Sequence, residues 1–453
     1  MDDDTIAAIA TPPGIGGVAI VRVSGPKALT VADRVYGGRT SLSRRPTHTV
    51  SVGRVRREDG RVLDIALWLI LRAPHSYTGE DVVEIQCHGG LHVPHLVLSA
   101  VCAAGARIAT PGEFTRRAFL NGRMDLLQAE SILDLIRAQT DRSAIAAAEQ
   151  MDGLLSKEIN ALYNDILAAL TTAEAANDFS EDDDGKYDAH SCSSAITSAI
   201  ARARRLLATE RKGRILREGV KVVIVGPPNS GKSTLFNALL GFDRAIVTDA
   251  PGTTRDTIEE QISLRGILIR LVDTAGVRTA TCEIEAEGIR RAIAQARTAE
   301  YIVHVYDASI SNREDSIYFD RDFPSERIIR VLNKCDLKAS DSGLGPPDAI
   351  QTSAISGYGL DDLRDALYVK VSSGLLDSES AGLSVSSRHA DLLRETSRHL
   401  VKASEILAAG SGDWSALVAV YLRAALEMTG EITGRTYYPE LLNSIFEQFC
   451  VGK

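Results

Sequence analysis

The sequence predicts a multidomain protein with an N-terminal α/β domain, a discontinuous all-helical domain, and an inserted α/β P-loop (Ras-like) G domain on a doubly wound sheet. Three observations predict it. Short β-like runs alternate with Gly/Pro turns up to about residue 120, apolar residues recur at helical spacing on both sides of the middle of the chain, and the middle alternates strand, loop and helix. At roughly 150 residues per domain, a 453-residue chain is expected to hold about three.

Composition sets the outer limits. Apolar residues make up 44% and charged residues 25%, close to globular averages, so wholesale disorder and a rod-like repeat are excluded. The longest apolar runs, such as Ile65 to Leu71, fall far short of the ~20 residues of a membrane span. The opening Met1-Asp2-Asp3-Asp4 has the wrong charge for a targeting peptide, and a cytoplasmic protein is expected. Cys87, Cys102, Cys192, Cys282, Cys335 and Cys450 are scattered without a C-x-x-C pair, which suits reduced thiols. A net charge of −9 supplies no global attraction for polyanions; a nucleic-acid partner would need a local basic patch or a second protein.

In order along the chain, residues 1–120 contain β-like runs at Val18 to Val23, Ala66 to Leu71 and Val82 to Ile85, with turns such as Thr11-Pro12-Pro13-Gly14; an α/β or α+β domain is expected. Residues 121–216 change to helical periodicity. Leu126, Ala129, Ile132 or Leu133 and Ile136 form one stripe, Leu155, Ile159, Leu162, Ile166 and Leu170 a second, and Ile196, Ile200, Ala203 and Leu207 a third. The acidic run Asp178 to Asp188 reads as a solvated separator. Residues 217–376 form the G domain, and 377–453 return to helix with Leu392, Leu393, His399, Leu400, Ala403 and Leu407, then Leu417, Val420, Tyr421 and Ala424. The Ser-rich patch Ser372 to Ser387 reads as a hinge or loop.

Gly226-Pro-Pro-Asn229-Ser230-Gly231-Lys232-Ser233 fits G-x-x-x-x-G-K-[ST] between a strand, Lys221 to Val225, and a helix, Thr234 to Leu240. Its backbone N–H groups and the helix N-terminus can cradle phosphates, with Lys232 reaching the β/γ-phosphates and Ser233 a Mg²⁺ ion. Asp273-Thr274-Ala275-Gly276 follows the strand Ile267 to Val272, where its carboxylate can hold Mg²⁺ through water and the Gly276 N–H can sense the γ-phosphate. Asn333-Lys334-Cys335-Asp336 follows Ile328 to Leu332; the Asp336 carboxylate accepts only, which suits the N1–H and amine of guanine, and Ser353-Ala354 is expected to close over the base. GTP rather than ATP is therefore the expected nucleotide.

Between these lies Thr248-Asp249-Ala250-Pro251-Gly252-Thr253-Thr254-Arg255-Asp256, placed as a switch loop in which Thr254 is the expected Mg²⁺ ligand. Where Ras-type GTPases orient the attacking water with glutamine, this chain has Val277. Glu283, Glu285 and Glu287 are acidic candidates for that task, and spacing does not rank them. With no arginine finger apparent, a monovalent cation beside the phosphates is an alternative, and Asn229 offers an amide oxygen.

The flanking segments carry a resemblance. Asp4-Thr-Ile, Ala10-Thr-Pro-Pro-Gly-Ile-Gly-Gly-Val18, Ser76-Tyr-Thr-Gly-Glu-Asp-Val-Val-Glu84-Ile-Gln-Cys-His-Gly-Gly90, Pro111-Gly-Glu-Phe-Thr-Arg-Arg-Ala-Phe-Leu-Asn121 and Phe449-Cys450-Val-Gly-Lys453 closely resemble the MnmE (TrmE) family of tRNA-modification GTPases, over the length of the chain. The resemblance implies a homodimer that, with an FAD-dependent MnmG-type flavoprotein, installs an aminomethyl-type (carboxymethylaminomethyl) group on carbon 5 of the tRNA wobble uridine from a tetrahydrofolate one-carbon unit. It implies K⁺-stimulated hydrolysis that brings two G domains together, with Asn229, Thr248, Thr253 and the Ala250 carbonyl as K⁺ ligands, and it selects Glu285 as the water-orienting residue. Folate contacts are implied at Arg22, Glu84, Arg123 and Lys453, and a requirement for Cys450 in modification.

Those assignments are chemically sensible: Glu84 can accept from a pterin's amide and amine edge, and the cations suit a glutamyl tail. From the residues alone, Arg22 reads as a surface charge and Cys450 as a small buried hydrophobe at a helix end. A metal site at Cys87, His88, His92 and His95 is disfavoured, because neighbours on a strand face opposite ways and the set matches no common zinc spacing. The chain departs from the family pattern in having Arg123 for lysine, Val451 for isoleucine, and Arg435-Thr-Tyr-Tyr-Pro-Glu440 for an acidic segment, with Pro439 expected to start a helix. The alternative function is an RNA-binding regulatory GTPase of ribosome assembly without group-transfer chemistry.

Overall fold

The structure, a computed structural model, describes residues 4–178, 189–241, 258–273, 284–309, 322–337, 346, 348–373, 382–409 and 414–453. The chain forms two compact units. One comprises Met1–Leu133, Met151–Thr197 and Arg398–Lys453, the other Asp134–Gln150 and Ser198–Ser397.

In the first unit, β1 (Ile6–Ile9), β2 (Val18–Ser24), β3 (Tyr36–Gly37), β4 (Thr49–Arg56), β5 (Val62–Leu71), β6 (Val82–His88) and β7 (Arg107–Ile108) form one sheet in the order β3-β4-β5-β6-β2-β1-β7. The pairs are antiparallel except β1 with β7. Alternation decides its faces: Val21, Val23, Trp68, Ile70, Val83 and Ile85 are fully buried and pack with helices α1 (Ala28–Val35) and α2 (Val93–Ala103). The intervening residues of the two central strands, including Arg22 opposite Glu84, point to the other face. Helix α3 (Glu113–Leu120) follows β7.

The helical stretch consists of α4 (Leu126–Arg137), α5 (Asp141–Met151), α6 (Leu154–Asp178), α7 (Ala189–Leu207) and α8 (Glu210–Glu218). The expected α6 stripe is correct, for Leu155, Ile159, Leu162 and Ile166 are all fully buried. Two other stripes need correction. In α7 the inward positions after Ile196 are Ala199, Ala203 and Leu206, leaving Ile200 and Leu207 half-buried, and in α4 Ile136 is exposed. Residues 179–188 of the acidic run lie outside the described residues.

The second unit holds β8 (Val220–Val225), α9 (Lys232–Leu240), β9 (Ile258–Leu264), β10 (Ile267–Asp273), α10 (Ile284–Thr298), β11 (Tyr301–Asp307), β12 (Ile328–Asn333), β13 (Ile350–Gln351) and α11 (Leu360–Ser372). The strand order is β13-β12-β11-β8-β10-β9, parallel except for β9. Val220, Val222 and Ile224 pack with α9 and α11 on one face, while Val223 and Val225 pack with Ala296 of α10 and Ala299 just beyond it on the other. Burial on both faces is what makes these strands read as continuous apolar runs.

Helices α12 (Ser387–Ala409), α13 (Trp414–Thr433) and α14 (Pro439–Phe446) complete the chain, and Pro439 stands at the first turn of α14 as expected. In the first unit α13 packs along α6, with Arg423 bonded to Glu174 and Arg435 lying 4.4 Å from the Tyr163 ring centroid, so the helical layer draws on sequence from both sides of the G domain. Val418, Leu422, Ala425 and Thr429 form the buried face of α13; the expected Leu417 and Val420 are 51% and 58% exposed. The described end of the serine-rich patch, residues 382–386, is a loop as expected, with Ser384 and Val385 buried and Gln150 donating to the Ser384 carbonyl at 2.9 Å. Among the described residues no helix is long and apolar enough to cross a membrane.

Candidate functional site

The P-loop leaves the end of β8 and enters α9 through Asn229 (φ 62°) and Gly231 (φ 91°). Gly231 has no substitute there, because a Cβ would press into the Asn333 side-chain amide. Lys232 curls over the loop, its Nζ donating to the Pro227 carbonyl at 2.8 Å. Burial lowers the Lys232 pKa, opposed by the negative charge of Asp273. Ser233 Oγ donates to Asp273 Oδ2 at 2.9 Å, which sets a hydroxyl and a carboxylate together at the start of α9. Two hard oxygen donors fit Mg²⁺. Ser230 Oγ is buried with no partner among the described residues, a donor left for a ligand oxygen.

Asn333 bridges the phosphate and base loops. Its Nδ2 donates to the Ser230 carbonyl at 3.0 Å and its Oδ1 accepts from the Ala354 N–H at 3.1 Å. Lys334, at φ 64°, donates from Nζ to Asp307 Oδ2 at 2.7 Å. Burial pushes the Asp307 carboxyl up, but the bonds from Lys334 and Ser309 outweigh it and the net shift is downward. Asp336 is exposed in a 3₁₀ turn, and Ser353 is buried. Asp307 was not singled out from the sequence; an acid at the carboxyl end of a parallel strand is the signal that marks it. Thr248, Asp249, Ala250, Thr253, Thr254, Thr274, Ala275 and Gly276 lie outside the described residues. Glu285 is in the first turn of α10, and its side chain lies outside what is described. Thr234 is the third residue of α9.

A second polar site lies in the first unit. Arg22 Nε donates to Glu84 Oε1 at 2.9 Å, both side chains being largely buried at 13% and 14% exposure. Arg22 is therefore no surface charge. It also donates to the Gly452 carbonyl at 3.3 Å, across 430 positions of sequence, and lies 5.3 Å from the Tyr77 ring centroid and 5.6 Å from that of Phe114. Tyr77 and Phe114 went unrecognised as parts of the site, although both fall within the quoted motifs. Lys453 joins the cluster: burial and the adjacent Arg22 lower its pKa, with Glu84 acting the other way. Arg123 does not share these contacts; it lines a cavity of about 450 Å³ with Tyr77, His75 and His48.

The tail is held from below. Gly452 (φ 101°) sits so close to β1 that a Cβ would strike the Ile9 carbonyl. Cys450 is exposed, which corrects its reading as a buried hydrophobe. Glu113, next to Phe114 at the start of α3, is held by Arg107 at 2.6 Å and Arg117 at 2.9 Å; burial pushes its carboxyl up, but these bonds and the Thr110 N–H outweigh it and hold its pKa at about 2. Cys87 is buried and His88 exposed on β6, where His88 Nδ1 meets Asp64 Oδ1 at 2.7 Å.

A doubly wound sheet, a P-loop carrying Lys232 and Ser233, and Asn333 linking it to a base loop define a P-loop nucleotide-binding protein of the GTPase class. Comparison with known proteins narrows this. The family described as GTP-binding protein TrmE N-terminus matches residues 5–123, and the MnmE helical domain family matches residues 126–450. The chain is 44% identical to the tRNA modification GTPase MnmE of Chloroflexus aurantiacus over 464 aligned positions, covering 100% of both chains. It is 43% identical to that of Geobacter sulfurreducens, covering 100% of this chain and 99% of the relative, and 40% identical to that of Levilactobacillus brevis, covering 99% and 98%. The chain belongs to the MnmE family of tRNA modification GTPases.

Proposed function

We propose that this protein is a GTP hydrolase of tRNA modification in which the Arg22–Glu84–Lys453 cluster holds a tetrahydrofolate derivative, so that a one-carbon unit is carried to carbon 5 of the wobble uridine. The partition into 1–120, 121–216, 217–376 and 377–453 belongs to this reading. So do a homodimer and an FAD-dependent MnmG-type partner for the steps that need a flavin. In the G domain, the N–H groups of 230–234 bind phosphate oxygens and Lys232 draws in the β/γ-phosphates. Ser233 and Thr254 would hold Mg²⁺, which neutralises phosphate charge; Asn229, Thr248, Thr253 and the Ala250 carbonyl would hold K⁺. Glu285 orients the attacking water, and Asp336 accepts from the guanine edge.

In the first unit, Glu84 accepts from the amide and amine edge of a pterin, while Arg22, Arg123 and Lys453 take carboxylates. The exposed Cys450 thiol stands three residues before Lys453 on the same tail. The observation that carries the reading is the bond from Arg22 to the Gly452 carbonyl, since it seats the Cys-Val-Gly-Lys tail against the Arg22–Glu84 pair. The test is twofold: titration with 5-formyl-tetrahydrofolate, and GTP hydrolysis in K⁺ against Na⁺. Folate binding and faster hydrolysis in K⁺ are expected. A protein that takes up no folate and ignores potassium would be a generic switch, and the reading would fall.

A further inference from the structure

Outside both sites, the second unit carries a cleft of about 750 Å³ lined by five cations, Arg211, Arg214, Arg297, Arg327 and Lys370, and by two acids, Glu300 and Glu326. Tyr301 and Arg327, at or next to the amino ends of β11 and β12, form part of it, whereas the nucleotide loops leave the carboxyl ends of β8, β10 and β12. The cleft is thus at the opposite end of the same sheet from the P-loop.

Its cations have unequal duties. Arg327 caps the carboxyl end of α10, donating to the carbonyls of Ala296 at 2.8 Å and of Ala299, and Lys370 donates to the Glu326 carbonyl at 2.7 Å. These two hold the walls. Glu300 accepts from the Lys221 N–H at 2.7 Å and pairs with Arg214 at 3.4 Å, so this pair offsets one cation and one of the two carboxylates of the cleft, which still holds more cations than acids. Arg211 is steadied by the Tyr301 hydroxyl at 3.1 Å, yet Arg211, Arg214 and Arg297 are all exposed. In sequence, residues 202–217 hold seven basic residues and a single acid, Glu210, in a chain whose net charge is −9; of these Arg211 and Arg214 line the cleft, Lys212 is buried and Arg217 pairs with Asp134 at 2.7 Å. The negative total conceals this run, and the sequence reading passed over it.

We propose that this cleft receives the phosphate backbone of the tRNA. Planar guanidinium forks match phosphate oxygens two at a time, and a cluster of them in an otherwise acidic protein gives a polyanion a favourable place to land. The inference rests on tRNA being the substrate. Its test is the full-length Arg211→Gln/Arg214→Gln/Arg297→Gln variant, with Arg327 left intact, in equilibrium binding of unmodified tRNA transcripts over a range of salt concentrations. Each lost phosphate contact flattens the dependence of log affinity on log salt by about one, so the slope should fall by about two to three and low-salt affinity by about tenfold or more.

GTP hydrolysis without tRNA should stay at the wild-type rate, which also reports an intact fold; the single Arg297→Gln variant should flatten the slope by about one. An unchanged slope in the triple variant overturns the inference alone. Failure of the wild-type protein to bind tRNA at any salt concentration overturns both it and the view that this chain itself engages tRNA. A variant with wild-type tRNA binding that no longer associates with the flavoprotein would assign the surface to an acidic protein, and the inference would be wrong.

Discussion

The nucleotide loops and the Arg22–Glu84–Lys453 cluster proposed for folate are built in opposite ways. The first is largely backbone: a turn at Asn229 and Gly231, a helix start, and one asparagine, Asn333, tying two loops together. The second is largely side chain, with a guanidinium and a carboxylate paired on adjacent strands and closed by a tail from the far end of the chain. A backbone cradle depends on local conformation, whereas a side-chain cluster depends on remote segments staying docked. Each should therefore fail in its own way and leave the other intact.

The largest effect is expected for Lys232→Ala. Losing a preorganised donor to developing phosphate charge should slow GTP hydrolysis by about a hundredfold or more, while folate titration stays at wild type. If folate binding falls in parallel, the two sites are not separable. Arg22→Ala is the reciprocal change. A charge-assisted bond is worth roughly 1.5–3 kcal/mol, so folate affinity should drop by about tenfold to a hundredfold with GTP hydrolysis unaffected; equal folate affinity would remove Arg22 from the site.

In the same unit, Glu113→Gln breaks a buried pair with Arg117 and a half-exposed one with Arg107, and should cost roughly 3 kcal/mol of stability in denaturant unfolding of the chain. The sign with pH follows from its pKa of about 2, below the ordinary value of 4.5: its contribution is present above pH 4.5 and is lost as pH falls toward 2. The acid-induced loss should be smaller in the variant, and identical profiles would show that Glu113 contributes nothing. The smallest effect is expected for Gly452→Ala. The strain of φ 101° and the approach to the Ile9 carbonyl should shift the tail, weakening folate binding several-fold while GTP hydrolysis is kept. Unchanged binding would mean that the tail does not close the cluster.

The same contrast explains what could be read before the structure. Gly231, Lys232, Asp273 and Asn333 are legible because each acts within a few residues of a strand end, and local spacing states the chemistry. Arg22 and Glu84 are 62 positions apart, and nothing in either segment alone says that they meet; only the resemblance to a family named them. Helix α13 differs from its expected face because its first half, Trp414 to Leu422, is apolar on nearly every side, so periodicity selects Leu417 and Val420 where packing selects Val418 and Leu422. Cys450 was misjudged for a related reason, since a thiol carries no mark of which way a tail turns.

The most direct test of the account is nucleoside analysis of tRNA from cells in which this protein is replaced by Lys232→Ala or by Arg22→Ala. The account predicts that either change removes the carbon-5 modification of the wobble uridine, although each variant keeps the ligand of its intact site. Wild-type levels of the modified nucleoside in either strain would contradict it.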